Sequence, residues 1–215
     1  MDITREEQVL NYIKGIIKNT EHENHVFLVG GAVRDKLMGN PIKDIDLCID
    51  LPNGGIEFAT WIMKTLGEFK QDTRPVVYPT YGTAMFTLLA FPGVDIECVQ
   101  TRKEQYHDSN SRNPETAYGT LEEDCYRRDL TINSLYQNIS TDEIVDITGK
   151  GIEDIKNQII RTPCDPNITY TDDPLRMLRC IRFASRYGWE IEEKTMQGII
   201  DNVERIQIIT QERIT

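Results

Sequence analysis

Two pairs of carboxylates stand out by their spacing in this 215-residue chain. In "DIDLCID" one residue separates Asp44 from Asp46, and in "GVDIECVQT" one residue separates Asp95 from Glu97. In both segments the acids alternate with Ile45, Leu47 and Ile49 or with Val94, Ile96 and Cys98, which is strand periodicity. Same-face neighbours on a strand lie about 7 Å apart at Cα. Carboxylates that close repel and raise each other's pKa, unless a hard cation such as Mg²⁺, which prefers oxygen ligands, is shared between them. A lone Asp-x-Asp in an acidic chain reads equally well as a solvated pair. A third carboxylate on a neighbouring strand changes that balance. It completes a site for two metals, one to activate an attacking hydroxyl and one to hold a triphosphate and steady the leaving group. Gly30 and Gly31 follow the apolar run "VFLV". They let a backbone approach phosphate oxygens and lead into a helix N-terminus, with Arg34 four residues on from Gly30 to add charge.

These residues need elements to hold them. Helical spacing is expected over residues 3–19, from Ile3, Val9, Leu10, Ile13, Ile16 and Ile17. A short strand over 25–29 is ended by the glycines, and "AVRDKLMG" reads as a short helix stopped by Gly39 and Pro41. A helix is predicted from Ile56 to Leu66. "TAMFTLLAFPGVDIECVQT" predicts two strands joined as a hairpin at Pro92-Gly93. "RKEQYHDSNSRNPETAYG" reads as a polar, mobile loop. Helical patterning is predicted for 120–137, a strand at "EIVDI" and a short helix after Gly151. Beyond Pro166 the chain reads as wholly helical, with helices over about 172–187 and 192–204. The expected organisation is an α/β domain over 1–162 and a small helical domain over 163–215.

Composition bounds the answer. Hydrophobic residues make up 39% and charged residues 27% of the chain, which fits a globular protein with a real core. No apolar run approaches the ~20 residues that span a bilayer, and "MDITREEQVLNYIKG" lacks a signal peptide's apolar stretch; a cytoplasmic location without membrane attachment is expected. The 5 cysteines are scattered without a CxxC, which argues against zinc and against a disulfide framework. The net charge of −11 opposes a nucleic-acid grip over the whole surface, but the arginines cluster locally in "YRRDL" and "LRMLRCIRFASR". His22, His25 and His107 form no cluster in the sequence.

Taken in order, "LVGGAVRDKLMG" with "DIDL", "ECVQTRKEQY", "RRDLTINSLY", "DITGKGIEDIKNQIIRTP" and "DDPLRMLRCIRFASRYGW" resemble the motifs of the class II CCA-adding enzymes and bacterial poly(A) polymerases. The resemblance covers nearly the whole chain. It implies the nucleotidyltransferase head of the DNA polymerase β superfamily: an α/β (α+β) fold with a small mixed sheet and flanking helices, followed by a helical neck. Members of that family continue into the rest of a neck, a body and a tail that hold tRNA, so the chain is expected to be a truncated form, a natural short form or one piece of a split enzyme. The implied activity is template-independent addition of CMP and AMP to the tRNA 3′ end, with CTP and ATP as substrates, Mg²⁺ as cofactor and pyrophosphate released.

The resemblance selects Glu97 over Asp95 and implies Asp44, Asp46 and Glu97 as catalytic metal ligands. It implies that Gly30, Gly31, Arg34 and Asp35 serve the triphosphate, with Arg127 or Arg128 meeting phosphate. Asp129 and Asn133, four apart and on one face of a helix, are implied at the sugar. Asp173 and Arg176, three apart, are implied as readers of the base. A carboxylate accepts and a guanidinium donates, which matches the amino donor beside a ring-nitrogen acceptor in cytosine and adenine. Guanine and uracil present the reverse order. Arg176, Arg179, Arg182 and Arg186 recur at three- and four-residue steps and give the helix a basic face, which reads either as a contact for triphosphate or primer strand or as a solvated face with ion pairs; Arg179 joins the implied nucleotide contacts. A poly(A) polymerase, a CC-only or A-only enzyme, and a non-catalytic RNA- or nucleotide-binding relic are the alternatives. The acidic chain and the lack of a basic tail weigh against the first, and the intact acidic positions weigh against the last.

Overall fold

The computed structural model describes residues 3–210 and 213. The elements run α1 (Arg5–Ile17), β1 (Val26–Val29), α2 (Gly31–Leu37), β2 (Ile45–Ile49), α3 (Gly54–Thr65), β3 (Val76–Tyr78), β4 (Thr83–Thr87) and β5 (Asp95–Gln100). There follow β6 (Arg102–Gln105), β7 (Glu115–Tyr118), α4 (Leu121–Tyr126), β8 (Tyr136–Asn138), β9 (Ile144–Val145) and α5 (Gly151–Asn157). The chain continues through β10 (Ile159–Ile160), α6 (Pro166–Asp172), α7 (Leu175–Tyr187), β11 (Glu190–Ile191) and α8 (Glu193–Asn202). No helix among the described residues is long and apolar enough to cross a membrane.

Two compact units result. The first holds the chain up to Arg102 together with Tyr136–Val145, and the second holds Lys103–Leu135 and the chain from Asp146 onward. The expected boundary at 162/163 therefore falls inside the second unit, where β10 pairs in parallel with β11 across it.

The first unit is built on a 7-stranded sheet in the order β3-β4-β5-β2-β1-β8-β9. Pairing is antiparallel throughout except between β2 and β5, which run parallel with Ile45 opposite Ile96, Asp46 opposite Glu97 and Leu47 opposite Cys98. One face of the central strands is apolar, with Leu28, Ile45, Leu47, Ile49, Ile96 and Cys98 all buried. Helix α3 packs over β2, β4 and β5 through buried Phe58, Ala59, Ile62 and Met63. Its approach is close: a Cβ at Gly55 would lie 2.8 Å from the carbonyl oxygens of Cys98 and Gly82. Helix α1 starts on a capping box between Thr4 and Glu7, which satisfies N–H groups that have no partner within the helix.

The second unit has its own core of Leu130, Ile132, Ile160, Tyr170, Met177, Cys180 and Ile199. Its sequence expectations needed most revision. The helix expected over 120–137 is α4 alone, capped by Thr120 and Glu123, then a single 3₁₀ turn over Thr131–Asn133, and then β8 in the other unit. The Asp129 carboxylate accepts the N–H of Leu130 at 2.8 Å, the local competition by which Asp disfavours helix. The helix expected over 172–187 is split by Pro174, which leaves Asp173 extended at φ −144° and ψ 102°. The region beyond Pro166 is not wholly helical, because β11 intervenes. The expected mobile loop after Gln100 contains β6 and β7, paired as a 2-stranded sheet. Both strands are polar, so no apolar alternation announced them. Strand β3 also escaped the sequence reading: at 3 residues it is too short to show a strand period.

Gly55→Ala should lower the thermal midpoint, with a cost of about 1–3 kcal/mol as in other overpacked cores. Thermal denaturation followed by circular dichroism measures this, and an unchanged midpoint would contradict the close helix–strand approach.

Candidate functional site

In the first unit the carboxylates and the glycines meet at one end of the sheet. Strand β1 runs antiparallel to β2, with Leu28 opposite Leu47. The end of β1 that leads into Gly30 and Gly31 therefore lies beside the start of β2, where Asp44 and Asp46 stand. Asp46 and Glu97 are direct register partners, so their side chains leave the same face from neighbouring strands about 4.8 Å apart. Asp44 immediately precedes β2 and is exposed, Asp46 is half-buried and Glu97 is exposed. Asp95 shares Glu97's face but accepts the Thr87 hydroxyl at 2.7 Å. The negative field is felt nearby. Burial pushes the Cys98 thiol well up, and the charges of Glu97 and Asp46 push it further in the same direction, so Cys98 stays protonated.

Among the described residues no group of three or more His, Cys, Asp and Glu forms a ready metal cage. The donor chemistry nonetheless fits a hard cation. Asp46 and Glu97 present only carboxylate oxygens from rigid strands, with Asp44 one step ahead of β2, and such oxygens are what Mg²⁺ takes.

Gly30 adopts φ 67° and ψ −132°, a conformation open essentially to glycine alone. Arg34 does not extend freely into solvent. Its side chain is buried and donates through Nε and Nη2 to Asp35 Oδ1, both at 3.1 Å. It also lies over Gly31, where a Cβ would stand 3.1 Å from Arg34 Nη2. Gly31 is thus the space in which Arg34 and Asp35 pair.

In the second unit the remaining residues sit in a network of charges. Asp124 is fully buried. Its Oδ1 accepts Arg127 Nη2 and its Oδ2 accepts Arg128 Nη2, each at 2.9 Å. Arg127 Nη1 also donates to Glu104 at 3.3 Å. Glu104 further accepts the Tyr106 hydroxyl at 2.8 Å and faces Arg176 Nη2 at 3.6 Å. Burial raises the Tyr106 phenol, against the opposing pull of Arg176, so it remains a donor.

Asp129 and Asn133 do not share a helix, yet Asn133 Nδ2 donates to Asp129 Oδ1 at 3.2 Å. Arg179 Nε donates to Asp129 Oδ2 at 2.8 Å. Asp173 and Arg176 do not lie side by side on a helix either. Asp173 is gripped by Arg112, whose Nε donates to Oδ1 at 2.6 Å and Nη2 to Oδ2 at 3.1 Å, and it accepts the Leu175 N–H at 3.0 Å. Arg176 is buried and donates to the Thr169 carbonyl at 3.2 Å. Burial raises the carboxyl of Asp172, with Arg176 opposing that shift.

The sequence reading missed Asp124, Glu104 and Arg112. Asp124 carried a signal, since it stands three and four residues before Arg127 and Arg128, the spacing of helical ion pairs. Glu104 and Arg112 carried none, because their ion-pair partners, Arg127 and Arg176 for Glu104 and Asp173 for Arg112, are distant in the chain.

The family profile of the poly A polymerase head domain matches residues 26–161, the stretch that includes the paired carboxylates, the glycines and the Asp124 network. The chain belongs to the poly A polymerase head-domain family. Over 199 residues it is 40% identical to the tRNA nucleotidyltransferase cca1 of Schizosaccharomyces pombe, an alignment covering 88% of this chain and 39% of that protein. The solved CCA-adding enzyme of Bacillus stearothermophilus in complex with CTP superposes with a TM-score of 0.74 at 27% identity, covering all of this chain and 47% of that one. A CCA-adding enzyme in complex with ATP superposes with a TM-score of 0.76 at 27% identity, covering all of this chain and 46% of that one. This head-domain chain therefore spans less than half the length of these three proteins.

Asp124→Ala should leave Arg127 and Arg128 without their buried partner and cost about 3–5 kcal/mol, the usual penalty for breaking one side of a buried ion pair. Urea denaturation followed by tryptophan fluorescence gives the value. A cost near zero would mean that the two arginines do not depend on Asp124.

Proposed function

We propose that this chain forms the nucleotide-binding and catalytic part of a tRNA nucleotidyltransferase that adds CMP and AMP to the tRNA 3′ end. The observation that carries the reading is the register pairing of Asp46 with Glu97 beside the Gly30-Gly31 turn. Family membership supports it, as do the CTP and ATP complexes of the solved neighbours.

On this reading Asp44, Asp46 and Glu97 hold Mg²⁺. When bound, the metal supplies activation of the primer 3′-hydroxyl and charge neutralisation on the triphosphate. The backbone of Gly30 and Gly31, with no Cβ of its own, offers N–H groups to the phosphates, and the Arg34 guanidinium over Gly31 adds positive charge beside them. Arg34 and Asp35 form the adjoining wall, their pairing keeping the guanidinium in place. Asp129 orients the sugar by accepting from its hydroxyls, held in turn by Asn133 and Arg179. Arg127 and Arg128, anchored on Asp124, direct positive charge toward phosphate.

Asp173 and Arg176 read the base. A carboxylate has about four lone-pair sites. Arg112 uses two of Asp173's and the Leu175 N–H a third, so one remains for an exocyclic amino group. Arg176 keeps N–H donors beyond those given to Thr169 and Glu104, and these suit the ring nitrogen of cytosine or adenine. Guanine and uracil would set donor against donor, a mismatch that hydrogen-bonding sites reject strongly.

The test is incubation with Mg²⁺, each labelled nucleoside triphosphate separately, and tRNAs ending before, within and after CCA. C followed by A, stopping at CCA, is the expected result. A long A tail would replace the reading with poly(A) addition, and incorporation of G or U would remove the base-reading role of Asp173 and Arg176. Asp46→Asn should reduce transfer by more than about 100-fold, beyond what outer-shell partners of a metal usually cost. Full activity in that variant would end the assignment of Asp46 to the metal.

A further inference from the structure

Helix α7 carries Arg176, Arg179, Arg182 and Arg186 and no acidic residue over its 13 positions, in a chain whose net charge is −11. The four arginines divide by what they touch. Arg176 is tied to Thr169 and Glu104, and Arg179 to Asp129. Arg182 and Arg186 are exposed and, among the described residues, form no ion pair or side-chain hydrogen bond. They stand four apart, so they share a face, and like charges at that spacing oppose the helix. Exposed Ser185 lies beside them. Nothing in the helix offsets this concentration of positive charge, whereas an anionic ligand would.

The same end of the helix carries stacked rings. Phe183 and Tyr187 are stacked with centroids 5.9 Å apart, and Tyr187 meets Trp189 at 4.9 Å. The Arg186 guanidinium lies 5.6 Å from the Tyr187 centroid. Phe183 and Trp189 also pack against the core of the second unit, so the rings anchor this end of the helix, and half-exposed Tyr187 with the Arg186 guanidinium stands at its surface. Arginines for phosphates beside an aromatic ring are the components of single-stranded nucleic-acid binding. An acidic peptide would use the charge but not the ring.

We infer that the outer face of α7, centred on Arg182 and Arg186 with Tyr187 beside them, binds the sugar-phosphate backbone of the single-stranded RNA end that is extended. This inference rests on the proposed function for the identity of the RNA. It adds a surface that the nucleotide contacts do not use.

The experiment is fluorescence anisotropy of a labelled tRNA lacking its terminal CCA, titrated with wild-type protein and with the Arg182→Gln/Arg186→Gln double variant over a series of KCl concentrations. CTP affinity and nucleotide transfer are measured on the same preparations, and circular dichroism shows whether both proteins are folded alike. Loss of two phosphate contacts should reduce the slope of log K against log[salt] by about 1.4, at about 0.7 per contact on a single strand. Affinity at low salt should fall about tenfold, with CTP binding unchanged. Equal slopes and affinities for the two proteins would overturn the inference, as would the absence of RNA binding by wild-type protein that still transfers nucleotides. If neither protein binds or transfers CTP or ATP while the double variant still loses RNA affinity, the proposed function fails and the RNA-binding face stands.

Discussion

Parallel pairing of β2 with β5 sets Asp46 directly opposite Glu97, and the rest of the first unit is arranged so that this pairing holds. Two like charges in the same cross-strand position oppose each other, so the strands must be kept together by something else. The apolar residues on the reverse face, Ile45, Leu47, Ile49, Ile96 and Cys98, are buried against α3. Because side chains alternate with period two, a slip of one residue would carry the carboxylates into that core and expose its apolar side. Register is thus set by the hydrophobic face, and the acidic face inherits it. The absence of side chains at Gly54 and Gly55 lets α3 come close enough to enforce this.

The second unit solves a different electrostatic problem. Asp124, Glu104, Arg127, Arg128 and Arg176 are all largely removed from solvent, where isolated charges are costly. Each is matched: Asp124 takes two guanidinium groups, and Glu104 takes Arg127, Arg176 and the Tyr106 hydroxyl. Such a network fixes the direction of each arginine fork before any ligand arrives. Under the proposed function that preorganisation matters more than net stability, because phosphate and base recognition depend on where fixed donors point.

The same logic separates the arginines of α7. Those that are paired, Arg176 and Arg179, are held by protein groups, which under the proposed function suits a small ligand whose shape must be read. Arg182 and Arg186 are exposed, which under the further inference suits a polyanion recognised by charge. One helix with no acidic residue can then serve both uses, because successive turns present different surroundings.

Much of the first unit was legible in the sequence because its signals are local. The alternation around Asp44 and Asp46 and around Glu97, the glycine pair after an apolar run and the Pro92-Gly93 turn each depend on residues within a few positions. The ordered set of motifs made the family recognisable. What tertiary structure alone decided was pairing across distance. No local pattern says that Asp46 will face Glu97, that Arg112 will grip Asp173, or that Glu104 will join Arg127 to Arg176, since these contacts depend on which segments pack together. Polar strands such as β6 and β7 left no apolar period to detect. The helices expected through Asp129 and Pro174 broke because one carboxylate capturing its neighbour's N–H and one proline ring outweighed a favourable average over the window. Sequence thus determined which chemical groups are present and what they can do. The fold decided which of them act together, because free energies of charge and hydrogen bonding depend on distances that only packing sets.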